Sequence, residues 1–236
     1  MHLDRLLQSQ GFGSRKSCRT LIESGAVTVN GTPCLNPQQD FDPTHLSFTV
    51  NDEPWQYREK VYVLLHKPPG YECSRNPQHH LSVFSLLPAP LIARGIQCVG
   101  RLDADTTGLL LLTDDGTWLH ALTSPRRHVP KRYQVTTAEP VTEAMLQALR
   151  TGVLLHDESE ALAALECVQT GPDQLIMTIT QGKYHQVKRM LAAAGNRVTA
   201  LHRAAIGSLG LGDLAQGQWR YLAAREYPLA AESAPP

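Results

Sequence analysis

The sequence predicts an α+β fold in two parts. A small amino-terminal unit covers residues 1–45. A larger unit over residues 60–229 is built on a mostly antiparallel or mixed sheet. Three observations carry this prediction. Helical apolar spacing and a hairpin turn crowd into the first 31 residues. Strand-like runs outnumber helical ones after residue 60. The helices fall at irregular intervals among the strands, which argues against regular βαβ repeats.

Leu3, Leu6 and Leu7 recur at helical spacing, and Gly11-Phe12-Gly13 closes that helix. Ser14 is placed to cap a second helix with Arg15, Lys16 and Arg19 outward and Leu21 and Ile22 inward. Val27-Thr28-Val29 followed by Asn30-Gly31 signals a hairpin. Residues 46–59, polar and interrupted by Pro54, read as a linker.

Tyr62 to Lys67 is the first strand of the larger unit, stopped by Pro68-Pro69-Gly70. Residues 72–97 are rich in Pro and His and read as irregular. Leu109 to Leu112 suit a buried strand. Trp118 to Leu122 suits a short helix, and Tyr133 to Thr136 a strand. A helix runs from a Thr142 cap to a Gly152 stop. Leu162–Val168 and Leu175–Thr180 form a strand pair, and Val187–Ala194 a helix ended by Gly195-Asn196. Val198–Leu201 and Tyr221-Leu222 complete the sheet, and residues 230–236 read as a frayed tail.

Composition narrows the function classes. The 236 residues carry 22 basic and 22 acidic side chains. Their distribution matters more than the zero sum. Arg126, Arg127, Lys131 and Arg132 form one acid-free basic stretch; Lys183, Lys188, Arg189, Arg197 and Arg203 lie in another. Together they suggest a phosphate-binding face. The five scattered cysteines form no Cys-x-x-Cys pair, so neither a zinc site nor a disulfide framework is indicated. No run nears the roughly 18 apolar residues of a membrane span. The amino terminus lacks a signal-peptide pattern, so a cytoplasmic location is expected.

The chemistry concentrates in Gly100-Arg101-Leu102-Asp103-Ala104-Asp105-Thr106-Thr107-Gly108, followed by four leucines and Thr113-Asp114-Asp115-Gly116. Asp103 thereby sits at the lip of a rigid core element, where a reactive carboxylate is held firmly yet reachable. Rival readings are weaker. Asp103-Ala104-Asp105 as a metal-binding pair is a pattern common by chance. A glycosidase pair of Asp103 with Asp114 or Asp115 would stand more than about 13 Å apart across an extended strand. The glycines of Gly207–Gly212 are in the wrong order for a dinucleotide loop.

The Gly-Arg-Leu-Asp-x-Asp-Thr-Thr-Gly-Leu-Leu segment resembles the catalytic motif of RNA pseudouridine synthases. With Thr113-Asp114-Asp115-Gly116 it is similar to the RsuA-like branch. Lys131-Arg132-Tyr133 resembles that family's basic-x-Tyr motif, and Gly182 to Met190 its third motif. The amino-terminal segment resembles an S4 RNA-binding module. The resemblance implies isomerisation of uridine to pseudouridine in rRNA, without cofactor or metal. It is strongest toward the branch acting on 16S rRNA at uridine 516; a 23S target and a noncatalytic assembly factor are the alternatives.

The resemblance makes Asp103 the essential carboxylate, Tyr133 the partner stacked on the target base and Lys188 the cation beside Asp103. Arg101, Arg189, His185 and Gln186 are expected to bind substrate. Arg15, Lys16, Arg19, Arg126, Arg127, Lys131, Arg132 and Lys183 are expected to meet RNA phosphates. Asp105 is expected to cap its own turn with Thr106 and Thr107. The carboxylate can act at C1′, at C6 or on the C2′ proton, and the sequence does not choose. A monomer is expected.

Overall fold

The computed structural model describes residues 1–226, and the expected tail at 230–236 lies outside them. The chain divides into two compact units. One comprises residues 1–61 and 87–97; the other holds residues 62–86 and those from 98 onward.

In the smaller unit, helices α1 (Leu3–Ser9) and α2 (Arg15–Glu23) pack on a four-stranded antiparallel sheet. Its strands are β1 (Val27–Val29), β2 (Thr32–Pro33), β3 (Ser47–Val50) and β4 (Glu53–Gln56), in the order β2-β1-β3-β4. Leu3, Leu6, Leu7, Cys18, Ile22, Val27 and Phe48 share one core. The Ser14 hydroxyl accepts the Ser17 N–H at 3.1 Å and so caps α2. Asn30 and Gly31, both at positive φ, turn β1 into β2.

The linker expected over 46–59 is instead largely the β3–β4 hairpin. Phe48 and Val50 alternate inward, and Asn51 and Asp52 supply the two positive-φ positions of its two-residue turn. Pro54 is tolerated because β4 is an edge strand. The irregular reading of 72–97 also needs correction. Helix α3 (Ala89–Ala93) forms behind Pro88, with Leu91 buried, and joins the smaller unit. Five residues are too few to show helical periodicity in the sequence.

The larger unit is built on a nine-stranded mixed sheet. It opens with β5 (Tyr62–Lys67), followed by the short parallel pair β6 (Tyr71–Glu72) and β7 (Leu81–Ser82) and a turn of 3-10 helix at Val83–Leu86. β8 (Gln97–Val99) re-enters the unit and pairs with β9 (Thr107–Thr113). Then come α4 (Gly116–Thr123), β10 (Lys131–Thr137), α5 (Glu143–Thr151), β11 (Glu166–Gly171), β12 (Gln174–Ile179) and α6 (Gln186–Ala193). The described chain finishes with β13 (Val198–Ile206), β14 (Leu209–Gly210) and β15 (Trp219–Tyr221).

The main path runs β11-β12-β10-β13-β9-β5-β15. Every neighbouring pair on it is antiparallel except β13 with β9, which is parallel. Leu109 to Leu112 are fully buried, as a central strand covered on both faces requires. β11 starts four residues later than the alternation suggests, because Leu162 is drawn into a bridge with Val153.

Candidate active site

Asp103 begins a tight turn that feeds β9. The Thr106 N–H donates to the Asp103 carbonyl at 3.1 Å. The turn is pinned from three sides. Gly70 N–H donates to the Ala104 carbonyl at 2.8 Å. Leu102 N–H donates to the Cys73 sulfur at 3.4 Å. Lys67, fully buried at the end of β5, sends its ammonium to the carbonyls of Pro68, Ala104 and Thr106 at 3.0, 3.1 and 2.8 Å.

Burial pulls the Lys67 pKa below its usual value, while Cys73, Asp105 and Asp103 favour the charge. A buried cation survives here because three carbonyl dipoles solvate it. The result is a turn whose backbone cannot drift, so the Asp103 carboxylate leaves it in a defined direction.

Both carboxylate oxygens of Asp103 are engaged. His185 Nε2 lies 3.1 Å from Oδ1, and Lys188 Nζ lies 3.2 Å from Oδ2. The Lys188 ammonium also reaches Asp105, at 2.7 and 2.9 Å. One cation is therefore shared by two carboxylates, and the closer pairing is to Asp105. Burial works against ionised Asp105, but the Lys188 hydrogen bond and charge prevail and hold its pKa low. Burial likewise works against charged Lys188, but Asp105 and Asp103 prevail and hold its pKa high. The Asp103 side chain keeps 30% exposure, so a substrate can approach it.

Lys188 and His185 come from one segment. His185 precedes α6 with φ of 47°, a left-handed conformation that L residues adopt at some cost. Its ring does not cap α6; it goes to Asp103 instead.

The model for RNA pseudouridylate synthase matches residues 61–193, and the S4 domain model matches residues 1–45. The ribosomal small subunit pseudouridine synthase A of Escherichia coli K12 is 41% identical over 230 residues, covering 96% of this chain and 98% of that protein. The RNA pseudouridine synthase YtzG of Bacillus subtilis is 37% identical over 98% of this chain and 99% of its own length. A crystal structure of a pseudouridylate synthase superposes with a TM-score of 0.69 at 35% identity, over 98% of this chain and 99% of that one. The chain belongs to the RNA pseudouridylate synthase family. It is an isomerase acting on RNA, with an S4 domain ahead of the synthase domain.

In this synthase Tyr133 is buried on β10, opposite Arg203 of β13, and Arg203 is opposite Gly108 of β9. One row across three strands thus joins Tyr133 to the strand that Asp103 feeds. The other expected residues divide. Arg101, Lys16, Arg126, Arg127, Arg132 and Lys183 are exposed. Lys183 pairs with Glu158 at 3.0 Å. Arg15 and Arg19 are folded back, each placing Nε 2.8 Å from the buried Asp4 carboxylate. Burial alone would raise the Asp4 pKa, but the two guanidiniums bring it down. Arg189 turns from Asp103 to pair with Asp157 and donates to the Tyr184 carbonyl.

Three expectations change. Gln186 is turned into the fold: it is 4% exposed, and its Oε1 accepts the Lys183 N–H at 3.0 Å while Nε2 meets the Met190 sulfur. Lys131 is not a free surface cation. Its ammonium donates to the Val129 carbonyl at 2.9 Å, and burial with Arg203 nearby lowers its pKa to about 8. Asp105 is chiefly a partner of Lys188; its contact with the Thr106 hydroxyl is a long 3.5 Å. Sequence reading missed Lys67, whose partners lie up to 39 residues away. Among the described residues no helix is long and apolar enough to cross a membrane.

Proposed function

We propose that this synthase converts uridine to pseudouridine in 16S rRNA, at uridine 516, with the Asp103 carboxylate as the reacting group. The observation that carries this reading is the pinned Asp103, flanked at one oxygen by His185 and at the other by Lys188. The choice of rRNA rests on relatives named for the small ribosomal subunit, 39–41% identical over 96% of this chain.

The reaction breaks the N1–C1′ bond, turns the uracil and rejoins it through C5, so no atom enters or leaves overall. Attack at C1′, attack at C6 and removal of the C2′ proton all need an ionised, aimed carboxylate. Lys188 places a fixed positive charge 3.2 Å from one of its oxygens, where charge developing in the reaction can be met. Lys67 and Gly70 hold the turn that aims it.

The target uridine leaves its stack to reach Asp103, a step costing a few kcal/mol. Tyr133 offers the face that receives the extruded base. The S4 module, with Lys16 exposed on α2, holds the RNA backbone; Arg126, Arg127, Arg132 and Lys183 add phosphate contacts on the larger unit, and Arg101 steadies the opened strand. Such contacts position the RNA without reading its sequence. The protein works as a cytoplasmic monomer.

The test is pseudouridine formation by purified protein on 16S and 23S rRNA, offered naked and as ribosomal particles. Wild type forms one pseudouridine in 16S rRNA, and Asp103→Asn forms none while retaining RNA binding. Full turnover by Asp103→Asn removes the carboxylate from the mechanism, and modification of 23S rRNA alone overturns the substrate.

A further inference from the structure

Tyr184 is the most exposed large apolar side chain of the described chain, at 76%. Its ring nevertheless has a fixed position. It stacks on the His185 ring with centroids 3.8 Å apart and planes within 21°. His185 in turn touches Asp103 at 3.1 Å. One face of Tyr184 is thus covered by a side chain of the site, and the ring stays largely open to solvent.

The segment that presents it is ordered by its own bonds. Arg189 donates to the Tyr184 carbonyl at 3.1 Å, Gln186 N–H donates to the Lys183 carbonyl at 3.1 Å, and Lys183 N–H donates to the Gln186 side chain at 3.0 Å. The left-handed His185 that follows directs both rings. Such a pre-set, exposed ring suits a flat partner that stacks, and a ring held in advance loses little freedom on binding. RNA supplies such partners here. Extruding one base removes the stacking of its neighbours on the strand, and aromatic faces accept any base because each has a π-face.

We propose that Tyr184, stacked on His185, is a platform for a nucleobase adjoining the target uridine, so that the flanking base stays stacked while the target occupies the site at Asp103. This rests on the pseudouridine synthase reading above. Stacking here is insensitive to base identity, so Tyr184 contributes to holding the opened strand and not to choosing its sequence.

The test compares wild type, Tyr184→Phe and Tyr184→Ala on the rRNA form that wild type modifies, with KM and kcat measured separately. Tyr184→Ala is expected to raise KM about tenfold, from the usual worth of a base–aromatic stack, with a smaller change in kcat. Tyr184→Phe stays within about twofold of wild type, since the hydroxyl is not the binding feature. Equal kinetics for wild type and Tyr184→Ala would overturn the proposal, as would Tyr184→Phe failing as badly as Tyr184→Ala. An Ala defect confined to particles and absent on naked RNA would assign the ring to a ribosomal protein, also against the proposal. If wild type modifies no rRNA in either form, the failure belongs to the function itself.

Discussion

Gly108 lies against the backbone of Arg203 where parallel strands β9 and β13 meet. A Cβ at Gly108 would stand 2.3 Å from the Arg203 carbonyl oxygen and 2.7 Å from its nitrogen, and Gly108 holds φ of 109°. Only glycine allows this approach. Arg203 fixes the contact from its side by donating Nε to the Leu109 carbonyl at 2.8 Å. Gly108→Ala should therefore cost about 3 kcal/mol, because neither backbone can yield cheaply. Thermal unfolding of the variant checks this, and an unchanged melting point would contradict it.

Lys67→Met should lose both stability and activity. The substitution keeps most of the stem volume but leaves three carbonyls, those of Pro68, Ala104 and Thr106, without the ammonium. The cost is about 3 kcal/mol, and the Asp103 turn loosens. Denaturant unfolding and turnover measured together are the check; a variant with normal kcat would show that the turn needs no such anchor.

Lys188→Met should cut turnover about a hundredfold by removing the fixed charge beside Asp103. Lys188→Arg should recover part of it, since charge returns on a differently shaped group. The Asp105 carboxyl provides a second readout. In wild type it titrates below 3.8, so its pairing stabilises the fold above that pH and is lost as pH falls through the lowered value. Without Lys188 the effect of burial is left unopposed by its main partner, and the Asp105 midpoint should move upward in a carbon-detected NMR titration. An unmoved midpoint would contradict the shared-cation geometry.

Lys131 makes a pH-dependent prediction. It releases its proton at about 8 in the folded chain against 10.5 when free. The unfolded chain thus binds more protons between these values, and stability from this residue rises with pH across that window. Lys131→Met should be the more stable protein below pH 8, with its advantage shrinking toward pH 10.5. Denaturant midpoints at several pH values test this, and a difference constant with pH would refute it.

Much of the fold was legible because local pattern and final packing agree. The four leucines of β9, the Ser14 cap and the Asn30-Gly31 turn depend on neighbours in sequence. Gln186 is buried, although its place beside a basic motif suggested an open position. Its spacing from Met190, four residues on, already placed it on the inner face of α6. Phe48 and Val50 carried the strand alternation, but Pro54 obscured it until β4 proved to be an edge. The sharing of Lys188 between Asp103 and Asp105 joins residues more than 80 positions apart. No local pattern encodes it, nor the carbonyl cage around Lys67.

The most direct test is site-resolved pseudouridine mapping of 16S and 23S rRNA from cells with and without this protein. Loss of a pseudouridine at the proposed position 516 of 16S rRNA, restored by wild type and not by Asp103→Ala, is the predicted result. An unchanged map, or restoration by Asp103→Ala, would contradict Asp103-dependent modification of 16S rRNA.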